Sequence, residues 1–171
     1  MTGPCSSRTP PHSAPRYDPG VYRQTRPEGD ATVETIYSTA VTSTGDGRNG
    51  HVRSADGLLD LDVARPPVMG GTGLATNPEQ LFAAGYAACF HSALKNIGRQ
   101  MEVDTNGSEV TVEAGLLKGD GKFGISATIH LRADHLDDET AMRLLERSHQ
   151  LCPYSEATRG NVDVKLVLDR G

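Results

Sequence analysis

Apolar and polar residues alternate along two adjacent runs in the second half of the chain. Val110, Val112, Ala114 and Leu116 take one side of the first run, against Glu109, Thr111 and Glu113. After Lys118-Gly119-Asp120-Gly121-Lys122, the residues Phe123, Ile125, Ala127, Ile129 and Leu131 resume the same period of two. That period sends alternate side chains to opposite faces of a strand, so the segment predicts a β-hairpin. Val162, Val164, Leu166 and Leu168 alternate with Asp163 and Lys165 and predict a closing strand over 162–168. Nearer the start, 33–43 is rich in Thr, Val, Ile and Tyr and predicts a strand, followed by a polar loop from Thr44 to Gly50. Short strands are predicted near 51–54 and 58–64, with a loop from Pro66 to Gly73.

Two segments carry a helical pattern instead. Over 78–100, Pro78 suits the first turn, and Thr76-x-x-Glu79 fits a capping box with Asn77 as the alternative cap. The run Leu81 to Phe90 is apolar on all sides, which predicts a helix buried in the core. Its Ala and Gly residues would let a neighbouring backbone come close. Over 138–151, Asp138 and Glu139 favour a helix start, and Ala141, Leu144, Leu145, Ser148 and Cys152 share one face. Pro153 is expected to end that helix. The pattern as a whole predicts an α+β fold of mostly antiparallel strands with two helices.

Residues 1–30 differ from the rest, holding six of the ten prolines and almost no aliphatic side chains. Such a segment buries too little apolar surface to offset its ordering, so a disordered tail is expected there, with a single domain over 31–171. Cys5 falls in the tail and reads as a bystander. A formal net charge of -5 and the absence of Trp argue against nucleic-acid binding. No apolar run approaches the roughly 18 residues of a membrane span. Three cysteines without a signal-peptide pattern point to a reducing, cytoplasmic setting, where paired thiols tend to be redox groups or metal ligands.

Cys89 and Cys152 each fall on an apolar face, where an unreactive core cysteine is the ordinary reading. Redox work requires a positive field to hold a thiolate. The helix dipole cannot supply it, because Cys89 lies roughly 18 Å into its helix and the dipole acts within the first turn. Arg48, Lys95, Arg99 and Arg159 are the basic candidates, and composition does not choose among them. Cys89-x-His91 and His149-x-x-Cys152 superficially offer four zinc ligands. Residues two apart on a helix point about 200° apart, however, so Cys89 and His91 face different ways and no metal is expected. His91 and His149 then read as ordinary polar positions. Gly70-Gly71-Thr72-Gly73 lacks the Gly-Lys-Ser/Thr ending of a phosphate loop.

The stretches Ala75-Thr76-Asn77-Pro78-Glu79-Gln80-Leu81-Phe82-Ala83-Ala84-Gly85-Tyr86-Ala87-Ala88-Cys89-Phe90 and His149-Gln150-Leu151-Cys152-Pro153-Tyr154-Ser155-Glu156-Ala157-Thr158-Arg159-Gly160-Asn161 together resemble the organic hydroperoxide resistance proteins. That family shares a superfamily with the osmotically inducible peroxidases. The resemblance covers about residues 33–168 and leaves out the tail. It implies an intertwined homodimer in which antiparallel sheets wrap around two buried cysteine-bearing helices. It implies that Cys89 is the peroxidatic cysteine, Cys152 the resolving cysteine, Arg48 the catalytic arginine and Glu79 the catalytic glutamate. The implied reaction reduces alkyl or fatty-acid hydroperoxides, with no bound cofactor and no metal. A lipoyl dithiol on a partner protein is the implied reductant. Two rival readings stand beside it: an osmotically inducible type of broader peroxide use, and a thiol redox sensor that oxidises once without turnover.

Overall fold

The computed structural model describes residues 34–170, which divide into two compact units meeting between Val63 and Ala64. The predicted tail and Cys5 lie outside the described residues.

The first unit is a three-stranded antiparallel sheet of β1 (Val41–Asp46), β2 (Asn49–Ser54) and β3 (Asp60–Asp62), in that order. The seven-residue loop expected at 44–50 is instead a tight hairpin. Asp46 pairs with Asn49 across a turn of Gly47 and Arg48. Gly47 has φ +50°, the glycine-first order of a two-residue hairpin turn whose twist matches that of the strands. Residues 34–40 are not strand, so the β-branched run before Val41 forms no ladder with the described residues. β3 is held to β2 by charge as well as backbone pairing. His51 Nδ1 lies 2.8 Å from Asp62 and its Nε2 lies 2.7 Å from Asp60, which also pairs with Arg53.

The second unit carries α1 (Pro78–Met101), β4 (Glu109–Gly119), β5 (Lys122–Arg132), α2 (Asp138–Leu151), α3 (Pro153–Thr158) and β6 (Val164–Asp169). β4 and β5 pair along their whole length across Asp120 and Gly121, both at positive φ (48° and 73°). That is the pattern of the tightest hairpin turn with an Asp-Gly centre. β6 joins the other edge of β5 in parallel, Ala127 opposite Val164 through Arg132 opposite Asp169. One parallel pair therefore departs from the antiparallel scheme, reached by the α2–α3 crossover.

Inward-facing Val112, Ala127, Ile129 and Leu131 meet Tyr86, Phe90, Leu94 and Ile97 of α1 and Leu144 and Leu145 of α2. The α1 run that is apolar all round is buried along one face only. Tyr86 and Phe90 are fully enclosed, while Ala84 and Ala88 lie exposed on the opposite face. α1 is capped by Asn77, whose side chain accepts from the Gln80 backbone N–H at 2.9 Å. Thr76 is not the cap; its hydroxyl donates to the Gln80 side-chain oxygen. Pro67–Met69, expected as loop, makes one turn of 3-10 helix.

Candidate active site

α2 leads directly to the chemistry. Its buried face of Ala141, Leu144, Leu145 and Ser148 continues to Cys152, which is fully enclosed. The Cys152 N–H still donates to the Ser148 carbonyl at 2.9 Å, but its ψ of 123° ends the helical path. Pro153 then occupies the first position of α3, where its fixed φ is helical and its missing N–H costs nothing. The proline expected to stop the chain's helix thus starts another one, and Cys152 stands at the junction.

Across from it, Cys89 projects from the middle of α1, half-buried. The two sulfurs are 3.7 Å apart, with both thiols free. A disulfide between them would have an S–S length of ~2.05 Å. The pair that the sequence placed on two separate apolar faces is therefore one site.

Burial pushes the Cys89 thiol up from its ordinary pKa, and neighbouring Cys152 adds to the rise. Opposing both, the backbone amide of Tyr154 in the first turn of α3 draws that pKa down. A donated hydrogen bond favours the thiolate. Within the second unit the balance still lies on the side of the neutral thiol, so a thiolate here calls for a further positive group.

Glu79 sits in the first turn of α1 and lines an apolar groove of about 610 Å³ with Val68, Ala83, Val112, Leu116 and Phe123; neither cysteine lines it. Glu79 precedes Cys89 by ten positions on one helix, about 15 Å of axial rise, which is beyond direct contact. Arg48 lies in the β1–β2 turn of the first unit. The structure thus brings Cys89 and Cys152 together, with Glu79 nearer the start of α1 and Arg48 in the β1–β2 turn.

His91 Nε2 lies 3.3 Å from the Ser108 hydroxyl and His149 Nδ1 lies 2.9 Å from that of Ser155. Burial lowers both pKa values, aided by Lys95 for His91 and Arg159 for His149. Among the described residues no group of three or more His, Cys, Asp or Glu could hold a metal ion. No described helix is long and apolar enough to cross a membrane.

Around the thiol pair lies a set of polar groups that motif reading passed over. The Tyr86 hydroxyl donates to Ser155 Oγ at 2.9 Å, with Thr158 Oγ1 3.4 Å away. Tyr86 and Ser155 are fully enclosed, and the Tyr86 and Tyr154 rings stand 5.7 Å apart. A signal for this set was available: Tyr86 precedes Cys89 by three residues and Ser155 follows Cys152 by three.

Comparison with known proteins agrees with this architecture. Residues 71–167 match the family of OsmC-like proteins. The organic hydroperoxide resistance protein OhrB of Bacillus subtilis is 45% identical over 135 residues, covering 78% of this chain and 98% of that protein. The organic hydroperoxide resistance protein of Xanthomonas axonopodis pv. citri is 42% identical over 138 residues, covering 79% and 96%. A crystal structure of an organic hydroperoxide resistance protein from Legionella pneumophila superposes with a TM-score of 0.75 at 43% identity, covering 80% of this chain and all of that one. With the cysteine pair closed to 3.7 Å and relatives of this likeness matched over nearly their whole length, the chain belongs to the organic hydroperoxide resistance family of OsmC-like proteins.

Proposed function

We propose that the protein is a thiol peroxidase that reduces organic hydroperoxides to alcohols. The observation that carries this reading is the 3.7 Å spacing of Cys89 and Cys152 in a chain of this family. The Cys89 thiolate attacks the terminal oxygen of the hydroperoxide. The O–O bond breaks, the alkoxide leaves and takes up a proton as an alcohol, and Cys89 becomes a sulfenic acid. The Cys152 sulfur then attacks the Cys89 sulfur, and the S–S bond forms as water departs. Two thiols and one hydroperoxide become one disulfide, one alcohol and one water.

Arg48 supplies the positive charge that burial makes necessary at Cys89. Glu79, too far along α1 to act on the thiol itself, orients the guanidinium fork through paired hydrogen bonds. The dithiol of a lipoylated partner protein regenerates the enzyme by exchange, leaving as its own disulfide.

The working form is an intertwined homodimer. Ala84 and Ala88 leave an exposed small-residue strip on α1 that admits a second helix closely. Val68 and Phe123, 93% and 70% exposed beside the apolar groove, and Leu58, 90% exposed in the first unit, supply apolar surface for a second copy to cover. Monomers seldom leave such surface open in contiguous patches.

Steady-state turnover with a reduced lipoylated protein tests the reading. Efficiency should rise from hydrogen peroxide to tert-butyl hydroperoxide to a long-chain hydroperoxide, each buried methylene contributing at most about 0.8 kcal/mol. Equal efficiency across the three matches the osmotically inducible type instead. Oxidation once without turnover marks a redox sensor.

A further inference from the structure

We propose that Tyr86 and Ser155 are positioning residues that hold Cys89 and Cys152 in register; the inference rests on the thiol chemistry proposed above. Tyr86 lies one helical turn before Cys89 on α1, and Ser155 lies three residues beyond Cys152 in α3. The two pairs therefore form successive rungs between the same elements: sulfur to sulfur at 3.7 Å, and hydroxyl to hydroxyl at 2.9 Å.

The lower rung is a demanding one. Both hydroxyls are fully enclosed, so neither can turn to solvent if the other moves. Ser155 has one proton and two lone pairs. Besides accepting from Tyr86, Ser155 Oγ lies 2.9 Å from His149 Nδ1 and shares a hydrogen bond with it. His149 belongs to the last turn of α2, and its carbonyl accepts from Arg159 Nη2 at 3.2 Å. One hydroxyl on α1 thus secures α3 and the end of α2, the two elements that meet at Cys152.

α3 needs this support. It has six residues, too few for a helix to hold by its own hydrogen bonds. It also carries the Tyr154 backbone amide that draws the Cys89 pKa down. A shift of α3 would move the resolving thiol and this amide together.

The test separates positioning from mere core stability. The full-length protein is equilibrated in glutathione redox buffers, and the Cys89–Cys152 disulfide is quantified by peptide mass mapping. Tyr86→Phe keeps the ring and removes the rung. It should lower the equilibrium constant for disulfide formation about tenfold, equivalent to about 30 mV for a two-electron couple. Ser155→Ala should do the same, and the double variant should be no worse than the larger single effect, as expected for two ends of one contact. Ile129→Val, a core change on β5, should lower the melting temperature without moving the equilibrium. The proposal is overturned if both single variants stay within twofold of wild type, if their effects simply add, or if Ile129→Val shifts the equilibrium as much. If one variant does not fold, the other gives the same reading. No peroxide enters the measurement, so a wild type that forms the disulfide but fails to turn over hydroperoxide contradicts the proposed function and leaves this test standing.

Discussion

Gly85 and Tyr154 meet where a side chain is missing: a methyl group on Gly85 would stand 3.2 Å from the Tyr154 Oη and 3.3 Å from its Cε2. Glycine inside a helix costs about 1 kcal/mol relative to alanine, and here that cost admits the ring beside which α3 starts. Gly85→Ala should leave the melting temperature nearly unchanged, since helix propensity offsets mild crowding. Gly85→Val should destabilise by about 1–3 kcal/mol through overpacking and slow closure of the Cys89–Cys152 disulfide. Chemical denaturation and the rate of thiol loss after peroxide measure the two effects separately.

Arg48→Ala should raise the Cys89 pKa and slow its oxidation. Burial already pushes that thiol toward its neutral form, and the Tyr154 amide opposes this only in part. Glu79→Ala should show a smaller loss, because the guanidinium keeps its charge and loses only its orientation. The pH dependence of Cys89 alkylation reads the pKa directly. A wild-type profile in Arg48→Ala would remove that arginine from the mechanism.

The β2–β3 pairing should weaken as pH rises. Carboxylates only accept hydrogen bonds, so His51 can donate to Asp60 and Asp62 together only as the imidazolium. The hydrogen bonds to Asp62 and then Asp60 raise its pKa above the ordinary 6.5. A raised folded-state pKa contributes stability that is fully present below the unfolded value and is lost as pH climbs through the folded one. Amide exchange at the β2–β3 pairs, corrected for its intrinsic pH dependence, should show protection falling across that window. His51→Gln should abolish the dependence.

Asn77→Ala should destabilise the protein by about 1 kcal/mol, whereas Thr76→Ala should cost less. The Asn77 side chain accepts the Gln80 backbone N–H at the start of α1, whereas the Thr76 hydroxyl meets only the Gln80 side chain among the contacts of the described residues. Thermal unfolding of the two variants checks the order.

Much of this was legible where periodicity and burial coincide. The β4–β5 hairpin reads from its alternation, and α2 from a buried face that runs from Ala141 to Cys152. The remainder depended on forces that act across the chain. Pro153 reads equally as a stop and as a first helical residue, and α3 exists because Ser155 and Tyr154 find partners on α1. The parallel docking of β6 leaves no mark in its own alternation. The strand expected over 33–43 begins only at Val41, because strand propensity needs a neighbouring strand to become a ladder. The cysteine pair became legible through the resemblance of its two flanking stretches, since two isolated cysteines on apolar faces look like core.

The most direct measurement of the central claim is intact mass after one equivalent of an organic hydroperoxide, with peptide mapping of the linkage. Wild type should lose two hydrogens and show Cys89 joined to Cys152. Cys152→Ser should instead gain oxygen at Cys89, Cys89→Ser should not react in that first step, and Cys5→Ser should match wild type. A wild-type disulfide that engages Cys5 while Cys152 stays reduced would contradict the account.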